Sequence, residues 1–434
     1  MIPLGDAQAL VREACTRLDQ RVVAVGDSLG CVLAAPALAA VDVPPFANSA
    51  MDGYAVRAED VAVTPVQLRV TGRVLAGSMS AGALGPREAI RIMTGAPMPP
   101  GADAVVMVER TRQDEDAGED TVVIEDPVRT GENVRGAGGD VHAGSEVLAA
   151  GAVVGPTQLA ALVSAGVAEV TVVPRPRVGV ISTGDELVDL GQPLGPAQIY
   201  DSNRPMLLAL VGEAGCAALD LGRSADDEDA LEARIARALP HVDALVLSGG
   251  VSVGDVDVVR MVLERIGKGR ARWMQIAIRP AKPFSFTPLA GPGRTVPAFG
   301  LPGNPVSSAV GFELLVRPAL RAMAGHRVTE RPRLIARARE DLRRRPDGKT
   351  HFMRVVLEPV STPRGTVDAT DEAGAEPVAW TAAPCPGQGS HQIRSMGLAD
   401  GLAVLPDGDG VAAGSPVEVI ITNRAFSEAL PAVR

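Results

Sequence analysis

Apolar positions change period several times along this chain, and each change marks an expected structural boundary. Ala7, Leu10, Val11, Ala14 and Leu18 recur at helical spacing behind Asp6, a capping-type residue, and predict a helix over 6–20. Between Val43 and Arg135 glycine and proline become frequent and the apolar runs shorten, predicting strands at 66–74, 89–93, 104–109 and 121–126. The acidic stretch 113–120 between the last two reads as a solvated hairpin loop. Residues 147–168 carry no formal charge, which raises the question of a membrane span. Gly155-Pro156-Thr157-Gln158 breaks that run into a strand near 147–154 and a helix from about 157 to 164, and no span is expected.

Beyond residue 174, short continuous apolar runs alternate with helical patterns. Strands are predicted at 178–182, 217–221, 244–247, 272–278 and 296–300. Asp201-Ser202-Asn203 caps a helix to about 212, with Pro205 in its first turn; Asp226-Asp227-Glu228-Asp229 opens another through 238. A third helix is expected over 256–266, and Asn304 caps a long one to about 324. Such alternation implies right-handed crossovers and a mostly parallel sheet, which binds ligands beyond the carboxyl ends of its strands. After His326 the helical signal stops, and 334–338, 353–357, 401–405 and 417–421 read as strands of a smaller β domain.

Composition narrows the chemistry. The 434 residues hold 42 Lys and Arg against 52 Asp and Glu, a charge of −10, with only 2 Trp, 2 Tyr and 7 Phe. Neither broad phosphate-backbone binding nor stacking on nucleic acid fits that balance. Cys15, Cys31, Cys216 and Cys385 lie far apart, which suits reduced thiols in the cytoplasm better than a disulfide framework or a zinc ribbon. Asp6, Arg12 and Glu13 interrupt the first 15 residues, so no signal peptide is expected there.

Four expected strand-end loops share a composition that packing does not demand. They are Ser182-Thr183-Gly184-Asp185-Glu186, Asp226-Asp227, the Ser248-to-Asp257 loop with Gly249, Gly250 and Ser252, and Leu301-Pro302-Gly303-Asn304-Pro305-Val306-Ser307. Glycines let a backbone approach a ligand closely, and amides at helix N-termini attract phosphate. Acids beside a phosphate cradle suggest Mg²⁺, which takes few carboxylates together with phosphate oxygens. Any one loop could be an ordinary turn; four on one sheet edge point to a ligand. There is no Gly-x-Gly-x-x-Gly, and Gly348-Lys349-Thr350 lacks the leading glycine of a Walker loop. Gly250-Val251-Ser252-Val253-Gly254 matches a nucleophile elbow. None of His326, His351 and His391 falls in an expected strand-end loop, however, so the segment reads as a phosphate or pterin cradle. Arg279-Pro280-Ala281-Lys282-Pro283 presents two cations on a rigid turn, suited to an oxyanion or phosphate. Segments 44–55 and 91–99 mix apolar and polar residues without period and could be a domain joint.

Ser49-Ala50-Met51-Asp52-Gly53-Tyr54-Ala55, Thr94-Gly95-Ala96-Pro97, Ser182-Thr183-Gly184-Asp185-Glu186-Leu187, Ser248-Gly249-Gly250-Val251-Ser252-Val253-Gly254 and the Leu301-to-Ser307 segment occur in one order. Together they resemble the molybdopterin molybdenumtransferase family, which includes the E domain of gephyrin, over nearly the whole chain to about Asn423. The resemblance implies a multidomain α/β plus β fold: a linker and dimerisation domain (1–41 and 138–173), an inserted β-rich domain (42–137), a mostly parallel α/β pterin-binding domain (174–327), a C-terminal β-barrel-like domain (328–424) and a tail (425–434). It implies a cytoplasmic homodimer that takes adenylylated molybdopterin and molybdate, inserts the metal with Mg²⁺ assisting, and releases AMP.

By the same resemblance, Asp185, Glu186, Asp226 and Asp257 serve the cation and the adenylyl phosphates, while Asp52 and Thr94 enter from the other subunit. Ser182, Thr183, Gly184, Ser248, Gly249, Gly250, Ser252, Pro302, Gly303, Asn304 and Ser307 form the substrate cradle. Arg279, Lys282, Pro283, Ser307, Arg354 and Ser390 match positions tied to molybdate. Transient contact with the adenylyltransferase and with molybdoenzymes is implied, and no nucleic-acid or membrane partner. Three departures stand out: Arg279 where the family often has Lys, Gln275 where many members place a cation, and Ala281 in place of the usual Gly.

Two alternatives are weighed. Molybdopterin adenylylation uses the same α/β module, but that needs only about 150 residues. A peptide-binding scaffold like gephyrin needs aromatic anchors, and the C-terminal region offers only Phe352, Trp380 and Phe426. The run Arg331, Arg333, Arg337, Arg339, Arg343, Arg344 and Arg345 reads as a solvated strand face bordering the site.

Overall fold

The structure, a computed structural model, describes residues 1–79, 82–112, 120–249, 258–360, 380–423 and 426. The chain divides into two compact units, Met1–Gln20 with Val173–Arg434, and Arg21–Val172.

In the first unit, α1 (Leu4–Ala14) begins after Pro3 and ends at Cys15, short of the expected residue 20. Asp6 sits in its first turn and is not the N-cap. Tertiary contact ends the helix early: the Leu18 amide donates to the Met323 carbonyl at 2.9 Å instead of continuing the helical ladder. The central sheet uses β1 (Arg177–Thr183), β2 (Ala217–Ser224), β3 (Ala244–Ser248), β4 (Arg272–Gln275), β5 (Pro283–Gly291) and β6 (Arg294–Leu301), in the order β2-β1-β3-β6-β5-β4. The first four in that order are parallel, as expected, but β5 and β4 pair antiparallel at one edge. The sequence hid β5 because Pro283 and Pro288 interrupt its strand signal. Nor is 272–278 a single strand: Ile278 and Arg279 leave the sheet and pair in parallel with Thr350 and His351.

The inner strands are buried on both faces, which is why they read as continuous apolar runs. On one face Val178, Val180, Val246 and Phe299 pack with α1, with α2 (Asn203–Glu213) and with the helix after Asn304. On the other, Ile181, Leu245 and Leu247 meet Leu231 and Ile235 of α3 (Glu228–Ala238) and Val259, Val262 and Leu263 of α4 (Val258–Gly267). Asp227 caps α3, accepting the Ala230 amide at 2.7 Å.

The long helix expected after Asn304 is interrupted. It consists of α5 (Pro305–Gly311), a π-turn (Phe312–Val316) and α6 (Arg317–Met323), and the Asn304 side chain makes no capping bond. Pro318 has no N–H for the Leu314 carbonyl, which accepts from Gln8 Nε2 at 2.9 Å instead.

In the C-terminal region, β7 (Arg333–Ala338), β8 (Thr350–Pro359), β9 (Trp380–Pro384), β10 (Gly401–Leu405) and β11 (Pro416–Ile421) close into a five-stranded barrel. A short helix, α7 (Ile393–Leu398), precedes β10. Neither β9 nor α7 was expected.

In the second unit a six-stranded sheet contains the expected strands as Val66–Val74, Glu88–Ile92, Ala104–Met107 and Thr121–Ile124, with Gly53–Val56 and Thr111–Arg112 in addition. The expected strand at 147–154 is only Glu146–Leu148, which begins before the uncharged run, and the expected helix is Pro156–Ser164. Among the described residues no helix is long and apolar enough to cross a membrane. Residues 113–119 of the acidic stretch lie outside the described residues.

Candidate functional site

Register decides where the loops emerge. Ser182 lies opposite Ser248, Ser248 opposite Leu301, and Thr183 opposite Ser224, so the four parallel strands finish flush. Their loops line one cavity of about 560 Å³, with Thr183, Gly184 and Glu186 from the first, Asp226 from the second and Ser248 and Gly249 from the third. Pro302, Gly303, Asn304 and Ser307 complete it. Gly249 has φ +101°, and a Cβ there would lie 2.6 Å from the Thr183 carbonyl oxygen. Only glycine allows that approach between the two strand ends.

Asn203, expected as part of a helix cap, is the first residue of α2, and its side chain serves the strand ends instead. Its Nδ2 donates to Ser248 Oγ at 2.8 Å and to the Gly303 carbonyl at 2.7 Å, tying two strand ends to α2. The Gly303 carbonyl only accepts, which fixes the amide orientation. Among the described residues Asn203 Oδ1 is buried without a partner, in a residue that lines the cavity. Asp201 satisfies the Arg204 amide at 3.1 Å, which frees Asn203 for this task. Ser182 departs from its expected place in the cradle. It is fully buried, does not line the cavity, and donates to Asp201 Oδ2 at 2.5 Å.

The acids gather at the same edge. Asp226 N–H donates to Asp185 Oδ1 at 3.1 Å, and Asp185 N–H to Asp226 Oδ2 at 3.4 Å. Gly250, Ser252 and Asp257 lie outside the described residues. Among the described residues no group of three or more metal-ligating side chains is preassembled. Mg²⁺ needs no such cage, since one or two carboxylates, waters and substrate phosphates suffice. Glu186 and Asp226 fit that donor set.

A second cavity of about 600 Å³ adjoins the first and shares Pro283, Asn304 and Ser307 with it. Arg279, Lys282, Ser390 and Arg354 line it, as do Arg343, Arg344, Arg345, Lys349 and His351. Arg279 is exposed, whereas Arg354 is fully buried. Arg354 Nε bonds to Ser395 Oγ at 3.1 Å, and Nη2 to the Gly387 and Gly389 carbonyls at 3.2 Å each, so this residue shapes the loop that carries Ser390. Burial holds its pKa below the usual arginine value. Between the two cations, Ala281 takes φ +71°, the left-handed conformation that suits the glycine it replaces. Gln275 is exposed on β4 and lines neither cavity.

Two sequence readings need correction. The arginine run is not one solvated face: Arg331 bridges Glu313 and Glu213 at 2.7 Å each with its side chain 8% exposed. Arg344 is buried, bonding to Asp407 at 2.6 Å and Asp347 at 2.9 Å. His351 had been set aside, yet it lies beside Arg279 on β8 and lines the cationic cavity. Strand pairing between distant segments brought it there, and no local signal could show that.

Within the second unit Asp52 and Thr94 meet. Asp52 Oδ1 accepts the Thr94 amide at 2.6 Å and its hydroxyl at 2.8 Å. The backbone bond above all, with help from the hydroxyl, holds the exposed Asp52 carboxyl below the usual range. The aromatic anchors of a peptide groove are already used: Trp380 and Phe426 stack edge-on at 4.8 Å, and Phe352 is buried. All four cysteines are buried and unpaired, and burial pushes Cys15 and Cys216 up to about 12.

A doubly covered α/β sheet with a glycine- and acid-lined strand edge, joined to a β-barrel, is the architecture here, and three family matches along the chain make it a molybdenum-cofactor biosynthesis protein. Residues 179–322 match the family described as "Probable molybdopterin binding domain", flanked by the MoeA N-terminal region (domain I and II) at 2–166 and the MoeA C-terminal region (domain IV) at 336–422. The chain belongs to the molybdopterin molybdenumtransferase family and is a transferase. It is 38% identical over 428 residues to molybdopterin molybdenumtransferase 2 of Mycobacterium tuberculosis, covering 96% of this chain and 99% of that one. It is 36% identical over 428 residues to molybdopterin molybdenumtransferase of Bacillus subtilis, covering 97% and 94%. A crystal structure of the molybdopterin biosynthesis MoeA protein from Pyrococcus horikoshii superposes with a TM-score of 0.73 at 32% identity, covering 97% of this chain and 99% of that one.

Proposed function

We propose that this transferase inserts molybdenum from molybdate into adenylylated molybdopterin, with Mg²⁺ as cofactor and AMP as the second product. One observation carries the reading: a glycine-, hydroxyl- and acid-lined cavity and a cationic cavity meet at Pro283, Asn304 and Ser307. A guest with a phosphoanhydride at one end and a metal-accepting dithiolene at the other suits such a pair. Thr183, Ser248, Gly249 and Gly303 would bind the pterin and its phosphates. Glu186 and Asp226, with Asp185 and Asp257, would hold Mg²⁺, which neutralises charge at the anhydride oxygens. Arg279 and Lys282 would hold the molybdate dianion, with hydrogen bonds from Ser307 and Ser390, on a loop that Arg354 keeps in shape.

The same reading includes a cytoplasmic homodimer in which Asp52 and Thr94 of one subunit serve the other's cleft. The adenylylated substrate would pass from the adenylyltransferase, and the product to molybdoenzymes, by transient contact. Incubating purified protein with adenylyl-molybdopterin, Mg²⁺ and molybdate tests the proposal: molybdenum cofactor and AMP are the expected products, and no AMP release would sink it.

A further inference from the structure

The cationic cavity is lined by His351, one member of a titratable pair that the mechanism above leaves unused. His351 Nε2 lies 3.1 Å from Asp347 Oδ1, with the histidine side chain 14% exposed. Asp347 also takes Lys349 Nζ at 2.7 Å and Arg344 Nη2 at 2.9 Å, with Arg279 Nη1 at 4.0 Å. Lys349 above all, then His351, holds the Asp347 carboxyl down at about 2, so it is ionised at neutral pH. A carboxylate only accepts, so Nε2 of the neutral ring carries the proton and Nδ1 remains an acceptor. Nδ1 has no hydrogen-bond partner among the described residues.

The charges facing the ring are Asp347 and Arg344 from the segment before β8 and Arg279 from the adjoining segment; on β10, opposite the ring's residue, stands Leu405. Burial first, then the two arginines, lowers its pKa against the opposing pull of Asp347. The ring is therefore neutral at pH 7. Arginine and lysine act here as donors, and Glu186 and Asp226 line the other cavity. Among the described residues lining the cationic cavity, His351 is thus the one suited to accept and release a proton near neutrality.

Metal insertion requires such a group. A dithiol binds a metal as thiolates, so both thiols must lose protons. In the exchange two S–H bonds and one Mo–O bond break, while two Mo–S bonds and two O–H bonds form. The oxygen leaves as water, the net charge stays at −2, and nothing is oxidised or reduced.

We propose that His351 is the proton carrier of metal insertion, moving each thiol proton to the departing molybdate oxygen through Nδ1, with Asp347 as the residue that positions its ring. The assignment rests on the metal-insertion reading.

His351→Gln in the full chain keeps much of the shape and removes the basic nitrogen. The expected result is a kcat lower by ~10²-fold or more, molybdate Kd within about twofold of the parent, and partial rescue by added imidazole. The parent's kcat should fall on the acid side with a midpoint below 6.5, and Asp347→Asn should move that midpoint lower still, because a charge that favours the imidazolium is gone. A His351→Gln rate within about threefold of the parent, or a rate loss matched by an equal loss of molybdate affinity, overturns the assignment. Should that variant not fold, the parent and Asp347→Asn decide: an acid limb that Asp347→Asn leaves unmoved overturns it. A parent that releases no AMP defeats the metal-insertion reading and this step with it. A normal parent beside an unimpaired His351→Gln defeats this step alone.

Discussion

Asp185 and Asp226 exchange backbone-to-carboxylate hydrogen bonds, 3.1 Å one way and 3.4 Å the other, so the first two strand-end loops hold each other. That contact fixes two negative charges beside Glu186 without spending their outer lone pairs. Glu186→Ala and Asp226→Asn should each lower AMP release by ~10²-fold or more, because charge stabilisation at the anhydride is lost. Both acids are exposed, so stability should change by only about 0.5 kcal/mol. Chemical denaturation alongside the AMP assay checks both; cooperative unfolding of either variant under native conditions would make the acids structural.

Ala281 tests how the cation turn tolerates its departure from glycine. Replacing it with Gly relieves about 1–2 kcal/mol of left-handed strain but gives up a buried methyl and some chain entropy of comparable size. Ala281→Gly should therefore be near neutral, within about 0.5 kcal/mol. Ala281→Val, with a β-branched residue at φ +71°, should cost about 2 kcal/mol or more. Equal melting temperatures for the two variants would contradict the turn geometry.

Arg354 is buried against two carbonyls and a serine. Arg354→Ala should destabilise by about 3 kcal/mol or more, since buried acceptors lose their donor and a large cavity opens. Lysine should recover part of the stability and less of the molybdate affinity, because one ammonium cannot span all three partners. Denaturant titration and calorimetric molybdate binding measure the two effects.

His326 contributes a pH dependence remote from the site. Burial above all, then Arg321 and Arg317, pushes its pKa down from 6.5 to about 4. The unfolded chain thus takes up the proton first on acidification. The stability associated with the neutral ring is full above 6.5 and is lost as pH falls towards about 4. His326→Leu should flatten the fall in melting temperature between those limits; an unchanged slope would assign it to other groups.

Shared sites would reveal themselves in mixtures. Asp52→Ala and Glu186→Ala protein, each inactive alone, should regain up to about a quarter of parental activity after subunits are exchanged, since one cleft in a mixed dimer is intact. No recovery after verified exchange would place both residues in one subunit's cleft or remove Asp52 from the chemistry.

Much of the strand-end cavity was legible because parallel strands write themselves as apolar runs and their loops as glycine, serine and acid. Thr183, Glu186, Ser248, Gly303 and Ser307 therefore fell where local reading put them. Features that depend on distant pairing stayed hidden. β5 was masked by its prolines, the end of α1 was set by a contact with Met323, and His351 reached the site through the bridge from Arg279. Ser182 is the reverse case: a site-like residue type in a motif, it holds Asp201 from inside the sheet.

The short ladder between Ile278–Arg279 and Thr350–His351 carries one more implication. Through it the barrel lends its edge to the segment bearing Arg279 and Lys282, so those charges take their bearings from a different domain than the one that encodes them. A fragment truncated after His326 would keep the four flush strand ends yet lose the scaffold that aims Arg279, and with it the grip on an incoming dianion. On the proposed reading, recognition of the nucleotide end would stand alone in a single module, whereas capture of the metal would be a property of two modules stitched together.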